Sequence, residues 1–114
     1  MLVVGGAHAS ANPQHVLRNK NIDLVVIGEG ELTMLEIAQK YKSKKTPTNI
    51  KGTAFMSNRK FKINPLRKQI ENLDDFEPAW HLINLKDYFD HPDNSSVFKR
   101  GPSVSIITSR GCPG

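Results

Sequence analysis

The chain has 114 residues and a mass of 12.7 kDa, which suits one small domain or a piece of a larger one. Its 16 Lys and Arg residues outnumber its 11 Asp and Glu residues, and its mean hydropathy is −0.43. No apolar run reaches the roughly 20 residues that a membrane-spanning helix needs, and the amino terminus does not resemble a secretory signal. The single cysteine, Cys112, excludes an intrachain disulfide. We therefore expect a cytoplasmic protein without a membrane span.

A β-α unit is predicted at the amino terminus. The short apolar run 2–4 stops at Gly5-Gly6 and is typical of a strand buried in a parallel sheet. Asn12-Pro13 then predicts a helix start, since Asn caps free amides and Pro fits the first helical position. This helix is expected to run to about residue 18.

A second β-α unit follows directly. The run 23–27 predicts a strand that ends at Gly28-Glu29-Gly30, and 31–41 predicts a helix. On that helix, Glu36 and Lys40 are expected to pair on the outer face. The expected inward stripe consists of Leu32, Leu35, Ile37 and Ala38.

The composition changes after residue 42. The polar connector 42–47 leads into two predicted strands, 50–56 and 60–63, around a turn at 57–59. Further elements are a short helix at 81–89, a polar loop at 90–102 and a last strand at 104–109, which runs into the final residues.

These elements predict an α/β fold, specifically a partial Rossmann or flavodoxin-like domain followed by a β-hairpin linker. Two parallel strands are too few to form a sheet covered on both faces, so both ends of the chain are expected to be cut. Exposed apolar patches are then expected around Val3, Val4, Val25, Ile27, Ile106 and Ile107.

Two glycine-rich turns are the main candidate ligand site. Gly5-Gly6-Ala7-His8 and Gly28-Glu29-Gly30-Glu31 both follow predicted strands, and ligands of open α/β sheets bind outside the carboxyl ends of strands. Each turn also has a plain structural interpretation: a tight turn for the first, and capping by Glu29 and Glu31 for the second. The second turn is not a phosphate cradle, because position 33 is Thr and two carboxylates would repel a pyrophosphate.

The remaining polar residues give weaker signals. The four histidines show no spacing that builds a two-histidine metal face on one helix. The basic stretches 40–45 and 59–68 could contact phosphates, but acidic residues follow closely and no nucleic-acid motif accompanies them. The sequence therefore argues against nucleic acid as the partner. Cys112, at an expected strand end after Arg110-Gly111, is a candidate ligand, although one thiol alone cannot hold an iron–sulfur cluster.

Taken together, three segments resemble the cobalamin-dependent radical S-adenosylmethionine enzymes, of the type that includes the anaerobic magnesium-protoporphyrin ester cyclase. Segments 3–10 and 23–33 resemble the second half of a cobalamin-binding domain, 73–80 resembles the linker after it, and 107–113 resembles the first barrel strand. The resemblance implies a late cobalamin-binding domain at 1–45, a linker with a β-hairpin at 46–102 and the start of a radical S-adenosylmethionine domain at 103–114.

The resemblance also implies cofactors and site residues. Cobalamin would contact Gly5, Gly6, His8, Gly28, Glu29, Gly30 and Glu31, mainly through its nucleotide tail. His8 is not the residue expected to approach the cobalt, because the family's D-x-H-x-x-G loop is absent. Cys112 matches the first cysteine of C-x-x-x-C-x-x-C and so would be one of three ligands of a [4Fe–4S] cluster that binds S-adenosylmethionine.

The implied parent enzyme performs radical-based methyl transfer or cyclisation on a small-molecule substrate, and this chain is expected to be inactive alone. Two alternatives stay open. One is a non-catalytic α/β module whose basic hairpin binds nucleic acid or a protein partner; the other is a partial flavodoxin-like domain for another ligand, such as flavin.

Overall fold

The structure is a computed structural model that describes residues 1–42, 48–89, 106–107 and 109–110, without the side chains of 88 and 89. The chain divides into two compact units, Met1–Glu71 and Asn72–Gly114. The domain boundaries expected from the sequence stay a prediction.

A four-stranded mixed sheet forms the centre of the first unit. Its strands are β1 (Val3–Val4), β2 (Leu24–Val26), β3 (Thr53–Ser57) and β4 (Lys60–Ile63), in the order β1-β2-β3-β4. β1 and β2 are parallel, whereas β3 pairs antiparallel with both β2 and β4. The predicted α/β class is confirmed, and the predicted hairpin continues the sheet.

Three helices flank the sheet: α1 (Ala7–Ala11), α2 (Pro13–Val16) and α3 (Glu31–Lys42). The sequence did not predict α1, and its predicted helix start at Pro13 is that of α2. Asn12 separates the two with φ −140° and ψ 60°, because a residue before proline avoids the helical region. Asn12 makes no side-chain capping bond, contrary to its expected role.

Apolar side chains cover both faces of the sheet. Alternate residues of β2 point to opposite faces, so Val25 joins one buried cluster while Leu24 and Val26 join the other. The first cluster contains Ala9, Leu17, Val25 and Ala54, and the second contains Leu24, Val26, Ile37 and Ile50. The hairpin widens the sheet enough to enclose β2.

The expectation of an exposed patch was therefore wrong for Val25, which is completely buried as the centre of the sheet. Val3, Val4 and Ile27 are half-buried, since they pack at the margins of the two clusters. Ile106 and Ile107 are exposed as expected, at 66% and 76%.

The predicted inward stripe of helix α3 is confirmed at Ile37 but is wrong at Leu35 and Ala38. Its buried residues are Thr33 and Ile37, whereas Leu35 is 54% exposed and Ala38 is also exposed. The helix is rotated about its axis so that Thr33, and not Leu35, faces the interior, because Thr33 makes polar contacts that Leu35 cannot make. These contacts are described with the site.

The hairpin turn was predicted correctly. Asn58 and Arg59 connect β3 to β4 with φ of 50° and 62°, as in a type I′ turn. Asn tolerates this left-handed conformation, whereas Arg adopts it at a cost.

The second unit contains short elements only among its described residues. They are 3₁₀ turns at Leu73–Asp75 and Trp80–Leu82, and α4 (Lys86–Phe89). The predicted helix 81–89 is interrupted, because Ile83 is extended and the Asn84 side chain accepts a hydrogen bond from the Lys86 amide. The predicted loop 90–102 and half of the predicted strand 104–109 lie outside the described residues; Ile106, Ile107 and Ser109 are described and are not in a strand. None of the helices in the described ranges is long and apolar enough to cross a membrane.

Candidate functional site

The two glycine turns lie at the same edge of the sheet. β1 and β2 are parallel and in register at Val3–Leu24 and Val4–Val25, so Gly5-Gly6 and Gly28–Gly30 follow at neighbouring carboxyl ends. The Gly28 amide donates a 2.9 Å hydrogen bond to Ser10 Oγ, and the Ser10 amide donates to the Gly6 carbonyl. Ser10 thus joins the two turns into one surface, here called the glycine rim (residues 5–6 and 28–30).

Gly6 and Gly28 have backbone conformations that favour glycine. Their φ angles are +100° and +78°, and a Cβ on either would find no atom of the described residues within 4 Å. Both residues are exposed. The fold needs glycine at these two positions for the backbone angle, and open space remains above them.

Gly5 and Gly30 give a different signal. Neither has a positive φ, and a Cβ on Gly5 would lie 3.6 Å from Val26 Cβ, an ordinary van der Waals distance. In the part of the chain that the structure describes, a Cβ on Gly30 would meet only Val26 Cγ1, at 4.0 Å. The fold itself would therefore accept a side chain at either position.

The two carboxylates of the second turn have separate surroundings. Glu29 Oε2 accepts a 2.5 Å hydrogen bond from the Ile70 amide, which lies after the hairpin. Glu31 is the first residue of α3 and half-buried, where the helix dipole favours negative charge. Glu29 thus contacts an amide 41 residues away in the chain, a partner that its expected capping role did not include.

His8 lies in α1 and packs against His15 of α2. The two exposed rings are perpendicular, with centroids 5.9 Å apart. Among the described residues, no three His, Cys, Asp or Glu side chains are grouped to hold a metal ion. The predicted metal ligand Cys112 lies outside the described residues.

The basic hairpin exposes Arg59, Lys60 and Lys62. Its aromatic residue, Phe61, is half-buried and packs against the cluster around Val25. Phe61 is thereby committed to the core, whereas single-stranded nucleic acids stack their bases on exposed aromatic rings.

Sequence reasoning missed a second group of residues next to the rim. Arg67 Nε donates to Thr33 Oγ1 at 3.1 Å, and Arg67 Nη2 pairs with Glu36 Oε2 at 2.7 Å. Lys40, the expected partner of Glu36, donates to the Asn49 carbonyl at 2.7 Å. The one available signal was Thr33, a hydroxyl at the third glycine position of an incomplete dinucleotide fingerprint.

The comparisons with known proteins cover nearly the whole chain. It is 32% identical over 98% of its length to an uncharacterized methyltransferase of Pyrococcus horikoshii. It is 31% identical over 97% to the anaerobic magnesium-protoporphyrin IX monomethyl ester cyclase of Cereibacter sphaeroides, and 28% identical over 96% to the cytidylyl-2-hydroxyethylphosphonate methyltransferase of Streptomyces wedmorensis.

The chain spans 23%, 18% and 25% of the lengths of these three relatives. No protein-family model and no solved structure matches it. The relatives confirm the resemblance drawn from the sequence: over nearly its whole length the chain is similar to one segment of methyltransferases and ester cyclases of the radical S-adenosylmethionine type.

Proposed function

We propose that the chain supplies the surface of a cobalamin-dependent radical S-adenosylmethionine enzyme on which the nucleotide tail of cobalamin lies. The observation that carries this proposal is the pair Gly5 and Gly30. The surrounding described atoms leave room for a Cβ at both positions, so the absence of side chains there is best explained by the close approach of a ligand.

The groups of the rim suit a ligand that donates hydrogen bonds. The carboxylates of Glu29 and Glu31 are acceptors at this edge, and they favour amide and hydroxyl groups over phosphate. Ser10 adds a hydroxyl whose oxygen already accepts from Gly28, which leaves its proton to be donated. Amide-bearing parts of cobalamin match this set, whereas an exposed phosphate would have to lie away from the two carboxylates.

The parent activity is part of the same proposal. Cys112 would be one thiolate ligand of a [4Fe–4S] cluster, and cobalamin, the cluster and S-adenosylmethionine would together supply radical and methyl-transfer chemistry on a small-molecule substrate. The residues described here bind and orient; they include no cobalt ligand that we assign. We therefore expect the 114-residue chain to turn over no S-adenosylmethionine, and measured turnover would contradict this part of the proposal.

Titration of the chain with hydroxocobalamin, followed by absorption and calorimetry, tests the rim. The double variant Gly5→Ala and Gly30→Ala is expected to lose about tenfold or more in affinity, while its urea midpoint is unchanged or slightly raised. Ala38→Leu is the control, since it also adds bulk at an exposed position but lies on α3 seven residues from its start.

Either of two results would contradict the proposal: no binding by the unchanged chain, or equal affinity of the double variant. Salt-dependent binding of an oligonucleotide that is lost in Lys60→Gln or Lys62→Gln would favour the binding-module alternative instead.

A further inference from the structure

The segment after the hairpin, residues 64–70, lies along the start of α3, and we call it the strap. It arrives there because β4 is antiparallel to β3 and so ends at the edge where β3 began. The Gly52 amide donates to the Pro65 carbonyl and the Ile27 amide donates to the Gly52 carbonyl, both at 2.8 Å. The strap is thereby tied through Gly52 to the end of β2.

Three side chains of the α3 region hold the rest of the strap. Glu29 accepts from the Ile70 amide, and Thr33 and Glu36 accept from the Arg67 guanidinium. The spacing 29, 33, 36 places the three acceptors on one side of the helix and its leading turn. The Arg67 side chain is only 19% exposed, so its fork of donors is largely shielded from competing water.

These contacts bracket the second glycine turn. Ile27 is bonded to Gly52, Gly28 to Ser10 and Glu29 to Ile70, and the Gly30 carbonyl accepts from the Met34 amide. Glycine residues have broad backbone freedom, so the conformation of this turn is determined by its surroundings.

We propose that Arg67 and Glu29 are positioning residues: they lock the strap to the start of α3 and so hold the Gly28–Gly30 turn in the conformation that a ligand meets. The identity of that ligand rests on the proposed function, but the locking does not. Lys at position 67 would not replace Arg, because one ammonium group cannot reproduce the planar fork that reaches both Thr33 and Glu36.

Backbone hydrogen exchange of the 114-residue chain tests the locking without any ligand. In Arg67→Met, we expect amide exchange at Ile70 and Gly28 to rise on the order of tenfold, while the central-strand amide of Val25 keeps its rate. Lys68→Met is the matched control, since it removes the same charge at the adjacent exposed position and should leave all three rates unchanged.

A second pair of variants addresses Glu29. Glu29→Gln keeps an acceptor oxygen and should protect the Ile70 amide to within a few-fold of the original rate, whereas Glu29→Ala should not. Unchanged exchange at Gly28 in Arg67→Met would overturn the proposal, and so would an equal rise at Val25, which indicates general unfolding.

Hydroxocobalamin affinity of the same variants separates this inference from the proposed function. We expect Arg67→Met to weaken binding at least fivefold and Lys68→Met to leave it unchanged. If exchange at Gly28 rises but affinity stays within twofold, the strap does not serve the ligand site and the positioning role is wrong. If the unchanged chain binds no cobalamin, the proposed function fails, and the exchange rates alone decide whether the strap holds the turn.

Discussion

Substitution of Gly52 by Ala should destabilise the chain far more than the same substitution at Gly28. Both glycines have nearly the same positive φ, +73° and +78°, so the backbone strain of an L side chain is common to both. A Cβ on Gly52 would lie 3.2 Å from Thr33 Oγ1 and 3.3 Å from the Ile27 carbonyl oxygen, whereas one on Gly28 would meet none of the described atoms within 4 Å. Comparison of the two Gly→Ala variants therefore separates the loss of stability due to backbone strain from the loss due to close contact.

The shared strain is about 1–2 kcal/mol, and the reduced freedom of the unfolded chain offsets about 0.4–1 kcal/mol of it. Gly28→Ala should therefore cost about 1 kcal/mol. At Gly52 the neighbours are held, since the Ile27 amide is bonded to the Gly52 carbonyl and Thr33 is fixed by Arg67. Forcing them apart adds about 1–3 kcal/mol, for a total of about 2–4 kcal/mol.

Urea unfolding followed by far-ultraviolet circular dichroism measures both variants against the original chain. With a slope of about 1–3 kcal/mol per molar urea, the two midpoints should differ by on the order of 1 M. If the folded baseline is too short to fit, adding sulfate or an osmolyte raises the stability of the original chain and of both variants and so lengthens it. Equal losses for the two variants, within about 0.5 kcal/mol, would refute the close contact of Gly52 with Thr33 and Ile27.

Two further substitutions test the hairpin and the orientation of α3. Arg59→Gly should stabilise the chain by about 1 kcal/mol, because glycine removes the cost of positive φ in a type I′ turn. The control Lys60→Gly, in β4, should destabilise the chain. A loss of stability in Arg59→Gly would contradict the type I′ turn. Ile37→Ala should cost about 2–5 kcal/mol by opening a cavity beside Leu24 and Val26, whereas Leu35→Ala should cost under about 1 kcal/mol. Comparable losses for the two variants in thermal or urea unfolding would show that both residues face the sheet, as the sequence predicted.

Local patterns in the sequence predicted β2, the hairpin and the extent of α3 well, because each depends on neighbouring residues. β2 is an uninterrupted apolar run, and the hairpin has a turn residue, Asn58, that tolerates positive φ. The positions of the two glycine turns at one sheet edge also followed, since parallel strands bring their carboxyl ends together. What these turns bind is a matter for the ligand experiments above.

Contacts between distant residues could not be predicted in the same way. The stripe expected on α3 included Leu35 on hydrophobicity, but the buried position went to Thr33, whose hydroxyl contacts Arg67 34 residues away. Glu36 likewise pairs with Arg67, a partner that the helix pattern did not predict. In each case a polar side chain found a partner that only the folded hairpin brings near.

The direction of β3 explains why those partners meet at the rim. A third parallel strand would begin at the opposite edge of the sheet, so the chain after α3 would enter it without first returning to the glycine turns. In the observed sheet the chain instead runs back along α3, where Lys40 contacts Asn49 and Thr33 donates to the Lys51 carbonyl, before β3 begins beside the end of β2. The hairpin then returns the chain to that same edge, so the strap necessarily starts there. Residues far along the sequence can therefore set the shape of the glycine rim, and substitution of Arg67 tests this dependence most directly.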